Sequence, residues 1–282
     1  FWLPLYANLR CGTMSEKVSV VINTLNSEQY LERVLRSVAE LDEIVICDMG
    51  STDATLAIAE RFHCRVVTHP PTGFVEPARN FAIQAAQHPW VLVVDSDELV
   101  TPQLVAFLRA HTQKERPEEG VRIPRKNYFL GRWMRNEYPD YTCRFFRKDC
   151  VFWPPLIHTQ PKITGNTLTI PRQRTDLAFI HLINRNVEQR LQIINTYTNK
   201  ELSRRANEKT SLLKLMYAPY FRFFKAYILK GGFLEGRAGY IHAKLQELYK
   251  FVTLAKLYEA QYTGKQASEL SMFEDEDDAN CK

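Results

Sequence analysis

Residues 90–98 read "WVLVVDSDE". An apolar run ends in Asp95 and Asp97, one residue apart. Two carboxylates this close repel each other and raise one another's pKa unless positive charge sits between them. At the end of a buried strand they make a seat for Mg2+ or Mn2+, hard cations that take oxygen ligands and bridge substrate phosphates. The competing reading is a capping turn, in which an aspartate after a strand serves the next helix.

A second cluster is "VICDMGSTDATLAIA", residues 45–59. Gly50 permits a tight turn, and Ser51, Thr52 and Asp53 supply N-cap oxygens. A plain strand-turn-helix accounts for those three but leaves Asp48 facing the end of its strand. A carboxylate there can accept the N3–H of a uracil ring.

The elements that must position these residues follow from hydrophobic periodicity. Residues 17–26, 42–53, 64–69 and 90–98 read as strands with their turns. Between them, 27–41, 54–62 and 76–87 read as helices. Ser27 is the expected cap of the first, with Tyr30, Leu31, Val34, Leu35 and Val38 at helical spacing, and Pro77 lies in the first turn of the third. Thr101 caps a further helix that opens with Pro102. This alternation predicts an α/β fold with a mostly parallel sheet covered on both faces. Ligands bind at the carboxyl ends of such strands, where Thr24, Asn26, Asp48, Asp95 and Asp97 all fall. Residues 120–130 and 142–153 read as further strands, rich in aromatics and arginine. Beyond 186 the pattern is helical, with helices over 186–208, over 211–230 with a bend at Pro219, and over 240–262.

Composition narrows the class. The chain has 282 residues, 45% of them hydrophobic, and a net charge of +5. That suits an anionic small substrate or an anionic membrane surface and argues against nucleic acid as a partner. The six cysteines form no C-x-x-C pair and no zinc spacing. Cys143 and Cys150 could meet across a hairpin, but a reduced, cytoplasmic reading is preferred. The first residues are apolar yet short and without a basic start, so no secretory signal is expected, and Met14 reads as the start. No apolar run of about 18 residues predicts a membrane span.

Together, "VVINTLNSEQYLERVLRSV", "DEIVICDMGSTDATLAIAE", "EPARNFAI" and "WVLVVDSDELVTP" closely resemble the family 2 glycosyltransferases, and within them the lipooligosaccharide β-1,4-glucosyltransferase group. The likeness covers roughly residues 17–165. It implies a GT-A fold, a nucleotide-sugar donor such as a UDP-hexose, Mn2+ or Mg2+, and inversion at the anomeric carbon. By position it assigns Thr24, Asn26 and Asp48 to the nucleoside, Arg79 to the donor site, and Asp95 and Asp97 to the D-x-D motif. Met49 stands where many members carry a second acidic residue, which leaves uracil recognition to Asp48.

An inverting transfer needs a base for the acceptor hydroxyl, and the resemblance points to a carboxylate downstream of D-x-D. In "NEYPDYTCRFFRKD" Asp140 is the first choice and Glu137 the second. Tyr138, Pro139 and Tyr141 are expected to desolvate Asp140 and raise its pKa. A turn residue after proline is the competing reading. His158 is a candidate metal ligand or diphosphate contact, and Arg144 and Arg147 either bind acceptor phosphate or pair with nearby acids. In residues 212–230 many aromatics mix with Lys214, Arg222, Lys225 and Lys230, as in a helix lying on an anionic membrane. Packing against the catalytic domain or a partner subunit explains the same pattern.

The expected organisation is an extension over 1–16, a catalytic domain over 17–185 with a nucleotide half (17–115) and an acceptor half (116–185), a helical region over 186–266, and a disordered acidic tail over 267–282. The expected activity moves a hexose to a lipid-linked or lipopolysaccharide-core glycan at the cytoplasmic face of the inner membrane. An inactive membrane-surface scaffold is the alternative. A nucleotidyltransferase is disfavoured, because "INTLNSEQ" lacks the glycines that cradle a triphosphate.

Overall fold

The computed structural model describes residues 16–71, 75–155, 159–182, 186–205, 208 and 210–279, with the backbone alone at 203, 204 and 263–279. The extension with Met14, and His158, lie outside the described residues.

The chain divides into two units, Phe1–Asn127 with Tyr138–Ile183, and Tyr128–Glu137 with Asn184–Lys282. The first unit begins with β1 (Val18–Thr24), α1 (Glu28–Val38), β2 (Glu43–Asp48), α2 (Thr55–Arg61), β3 (Arg65–Thr68), α3 (Glu76–Ala85), β4 (Trp90–Asp95), β5 (Glu98–Val100) and α4 (Pro102–Thr112). Apart from β5, which periodicity did not separate, these elements lie where it placed them. β6 (Gly120–Lys126) leads to the β7–β8 ribbon (Tyr128–Phe129 and Arg132–Trp133), which belongs to the second unit. The first unit resumes with β9 (Asp140–Arg147), β10 (Val151–Phe152), β11 (Lys162–Ile163), β12 (Thr167–Thr169) and β13 (Phe179–His181).

The main sheet runs β3-β2-β1-β4-β9-β6-β13-β5, with β12 on β6. β1 pairs in parallel with both β2 and β4, matching Thr24 to Asp48 and Asn23 to Asp95. The carboxyl ends of these strands therefore share one edge. Beyond β4 the sheet becomes mixed: β9 is antiparallel to β4 and β6, and β13 is parallel to β6 but antiparallel to β5. Helical crossovers enforce parallel pairing only in the first half.

All seven residues of β1 are buried. Helix α1 turns Leu31, Val34, Leu35 and Val38 into the same core. Each such side chain contributes about 1.5–3 kcal/mol when fully buried. Trp90 stacks on Phe145 at 4.9 Å, tying β4 to β9. Thr101 caps α4 as expected, accepting from the Leu104 amide. Ser27 does not cap α1; its hydroxyl goes to Ser96. Instead Asp53 accepts the Glu28 amide while Glu28 accepts the Ala54 amide, so two acids serve the starts of α1 and α2 reciprocally. The four described cysteines are free.

The second unit holds the ribbon and three helices, α5 (Val187–Arg204), α6 (Leu212–Phe224) and α7 (Gly236–Ala279). The ribbon was expected in the acceptor half. It joins the helices because Phe129 and Met134 pack with Ala238, and Arg132 pairs with Glu235 at 3.0 Å. Asn186 caps α5 through a reciprocal bond with Gln189. Helix α6 passes through Pro219 and runs into a π-helical turn, Lys225–Leu229. The backbone of α7 is helical to Ala279, so the acidic segment is helix there rather than disordered. No proline or glycine interrupts 265–279.

Candidate active site

The expected nucleoside residues form one knot. Asp48 is 2% exposed. Its carboxylate accepts Thr24 Oγ1 at 2.8 Å, the amides of Gly50 and Ser51 at 3.0 and 2.9 Å, and Ser51 Oγ. Burial alone would raise its pKa; the donors from Ser51, Thr24 and Gly50 bring it below the ordinary aspartate value. Asp48 thus organises the turn after β2, a role the sequence assigned to Ser51–Asp53 alone. Asn26 sits at φ 49°, a left-handed conformation that asparagine tolerates. Its Oδ1 accepts the Thr52 amide at 2.8 Å, which locks the end of β1 to the same turn.

The two aspartates of the D-x-D pair have different partners. Asp95 accepts Arg79 Nη2 at 2.8 Å and Arg144 Nη2 at 2.7 Å. Both guanidiniums are buried and stand over Trp153, at 4.5 and 5.3 Å from its ring. Burial would push the Asp95 carboxyl up, but Arg144 and then Arg79 hold it far below the usual range. The positive charge beside Asp95 is therefore two arginines, where the sequence suggested a metal. Arg144 and Arg147 pair with acids: Arg144 with Asp95, Arg147 with Glu16 and Asp149. Arg79 keeps Nε and Nη1 buried with no acceptor among the described residues.

Asp97 faces His181, the last residue of β13, with Oδ2 and Nε2 3.6 Å apart. From His181 a chain of contacts leads to Asp140. His181 Nδ1 lies 3.1 Å from Asn127 Oδ1, and Asn127 Nδ2 donates to Asp140 Oδ2 at 3.0 Å. The protons can be placed by elimination. An ionised Asp140 only accepts, so Asn127 turns its amide nitrogen toward it and its oxygen toward His181. His181 Nδ1 must then donate. A neutral His181 would present a bare Nε2 to the Asp97 carboxylate, acceptor against acceptor. That geometry suits a cation between them.

Arg125 completes the cluster. It donates twice to Asp140 Oδ2, at 3.0 Å from Nε and 2.6 Å from Nη2, and once to the buried Glu98 at 3.0 Å. Burial and the nearby Asp95 raise Glu98 above the ordinary glutamate value. Asp140 goes the opposite way from expectation. Burial raises its pKa, as the flanking aromatics suggested, but Arg125 and Asn127 outweigh that and leave it lowered. Glu137 is not in this cluster; it lies in the second unit, 2.9 Å from His242 Nε2.

Among the described residues no group of three or more His, Cys, Asp and Glu side chains is gathered to hold a metal ion. Asp97 and His181 nevertheless fit one as a pair. One oxygen and one imidazole nitrogen face each other, and the far side of the ring is fixed by Asn127, as metal-ligating histidines require. Mg2+ and Mn2+ commonly take few protein ligands and complete their shell with water and substrate phosphate.

Comparison with known proteins gives the family. Residues 19–168 match the family model described as glycosyl transferase family 2. The chain belongs to that family. It is an enzyme, a glycosyltransferase. A lipopolysaccharide core biosynthesis glycosyltransferase, LpsC of Rhizobium meliloti, is 25% identical over 86% of this chain and 92% of its own length. An uncharacterized glycosyltransferase of Rickettsia conorii is 26% identical over 90% of this chain and 94% of its own. Among solved structures, Staphylococcus aureus TarS 1–349 in complex with UDP aligns with a TM-score of 0.43 and 17% identity, covering 88% of this chain and 92% of TarS 1–349.

Asp95 also yields a stability prediction. Asp95→Ala strands two buried guanidiniums, and breaking a buried pair costs about 3–5 kcal/mol. The residual solvent access of Asp95 favours the lower end. Urea unfolding should show a midpoint shift of that size; an unchanged midpoint would remove the clamp from the account. Asp48, Asp95 and Asp140 are all lowered in the fold. Their contribution to stability is present above the unfolded aspartate pKa of about 3.9 and is lost as pH falls through the lower folded values.

Proposed function

We propose that this glycosyltransferase moves a hexose, with inversion, from a UDP-sugar to a lipid-linked or lipopolysaccharide-core glycan. The observation that carries the reading is the line Asp97–His181–Asn127–Asp140, in which a metal-competent pair and a carboxylate base belong to one chain of contacts. Asp97 and His181 would hold Mn2+ or Mg2+, which when bound neutralises the diphosphate leaving group. Arg79 would meet donor oxygens with its unpaired nitrogens. Thr24, Asn26 and Asp48 would shape the nucleoside site, with the Ser51 hydroxyl giving way on Asp48 to the uracil N3–H. Asp140 would take the proton of the attacking hydroxyl through its free Oδ1. TarS binds UDP, and a glucosyl-3-phosphoglycerate synthase of Mycobacterium tuberculosis was solved with Mn2+ and UDP-glucose. Those names, with that of LpsC, are consistent with this assignment.

Calorimetry with a panel of nucleotide sugars tests the donor. UDP-hexoses should bind in the presence of Mn2+, and Asp48→Ala should weaken them at least tenfold. Binding confined to guanosine or thymidine diphosphate sugars would overturn the uracil reading. Hydrolysis of the bound UDP-sugar without acceptor separates an enzyme from an inactive scaffold.

The second unit supports a bilayer as the place of work. Leu212, Leu213, Met216, Tyr220, Leu229 and Leu234 are each 60–73% exposed. Apolar exposure on this scale marks an interaction surface. Among the described residues no helix is long and apolar enough to cross a membrane, so the reading is an amphipathic face lying in the interface. Lys214 is paired with Glu208, which leaves fewer free cations than the sequence suggested. At low salt the protein should sediment with anionic vesicles, and replacing Leu212, Leu213 and Met216 by serine should abolish that. Wild-type protein remaining in the supernatant would make this face a protein contact.

A further inference from the structure

The second unit contains a polar pocket that the transfer chemistry does not use. Glu137 and the buried His242 line it together with the exposed Arg222, Lys225 and Lys230. The three cations converge because of the π-helical turn. In an α-helix Lys225 and Lys230 would point about 140° apart. Here the Lys230 amide bonds to the Lys225 carbonyl at 3.0 Å, five residues back, and the wider turn brings both onto the side of Arg222. Such π-turns are rare and recur at functional sites.

The charges are unbalanced. Glu137 lies 2.9 Å from His242 Nε2, and among the described residues Arg222 bonds the neutral Gln246, at 2.8 Å. Among the described residues Lys225 and Lys230 make no close ion pair, although the charge of Lys230 helps to lower Glu137, so one carboxylate stands against three cations. Asn136, also in the lining, keeps a buried Oδ1 without a donor. The pocket therefore presents several positive donors and one idle acceptor, a pattern that suits an anion carrying a hydroxyl.

Size narrows the ligand. The cavity is about 50 Å3, where about 10–15 Å3 on that measure holds one water. It admits one compact group and no sugar ring. A cleft of about 410 Å3 shares Arg222, His242 and Gln246 with it and is walled by Tyr197, Tyr249 and Ile193. That cleft has room for a ring, with aromatic faces for it to pack against.

We propose that this pocket binds the phosphate monoester of a phosphorylated sugar, with the sugar in the adjoining cleft. That the sugar belongs to the acceptor rests on the function proposed above; the anion site does not. Calorimetry on the full chain saturated with UDP, so that the diphosphate site is filled, tests it with glucose 6-phosphate and glucose. The phosphate should bind and glucose should not. Lys225→Gln with Lys230→Gln should weaken binding at least tenfold, as should Arg222→Gln, with unchanged thermal midpoints. Lys214→Gln and Asp97→Ala should leave it intact, so a failed donor reading would not mimic a failed pocket. No binding by the wild type, or equal binding by the variants, overturns the proposal. Phosphatidate vesicles form the other arm. If they bind through the two lysines while glucose 6-phosphate does not, the phosphate is a lipid headgroup and the sugar assignment falls.

Discussion

Asp97→Ala should reduce sugar transfer by at least about 10³-fold while leaving the unfolding midpoint where it was. A metal ion contributes several kcal/mol of charge stabilisation in reactions of this kind, and about 1.4 kcal/mol is tenfold in rate. Among the described residues Asp97 touches no guanidinium, and its side-chain neighbour across the cluster is His181. Removing it strands no buried charge, in contrast to Asp95→Ala. The two adjacent aspartates should therefore separate cleanly, one in activity and one in stability. His181→Ala should follow Asp97→Ala. Calorimetry gives a readout independent of turnover: UDP affinity should rise with Mn2+ in the wild type and lose that dependence in both variants. Undiminished Mn2+-dependence in Asp97→Ala would take the pair out of the metal site.

The aspartates were legible because a buried strand announces itself by composition, and what stands at its end stands at the ligand edge. The same logic put Thr24 and Asp48 at strand ends, where β1 and β2 bring them side by side. His181 closes "LAFIH" as Asp95 closes "WVLVVD", so a polar residue ending an apolar run was the signal available, and it was missed. The strand is only Phe179–His181 and pairs with β6 and β5, partners far away in sequence. No local pattern specifies that pairing. Asn127 and Arg125 were hidden for the same reason, since their roles exist only once β6 lies between β9 and β13. The error over Asp140 was one of balance: flanking aromatics revealed the desolvation but not the guanidinium that offsets it. The convergence of Lys225 and Lys230 was invisible to any reading at 3.6 residues per turn, because it depends on a π-turn.

Asp140→Asn should lower turnover by roughly 10²- to 10⁴-fold, the usual range for loss of a general base. The substitution keeps shape and removes the proton acceptor. Arg125 retains Glu98 as an anionic partner at 3.0 Å, so the cluster should hold and donor affinity should barely change. The pH profile separates this role from a structural one. Asp140 titrates below the ordinary aspartate value, with Arg125 and Asn127 opposing the effect of burial. Above about pH 5 it is then almost wholly ionised and ready to accept a proton. If Asp140 is the base, the wild-type rate should stay level from about pH 8 down to about pH 5 and fall only in more acidic solution. A base that stays ionised so low is weak, and its advantage lies in position: Oδ2 is held by three donors while Oδ1 is left for the hydroxyl. Near-normal turnover in Asp140→Asn, or an acid limb between about pH 6 and 7, would move the proton acceptor to another group. Glu137→Gln is the matched control. Glu137 is engaged by His242 in the other unit, and its loss should leave the rate within a few-fold of wild type.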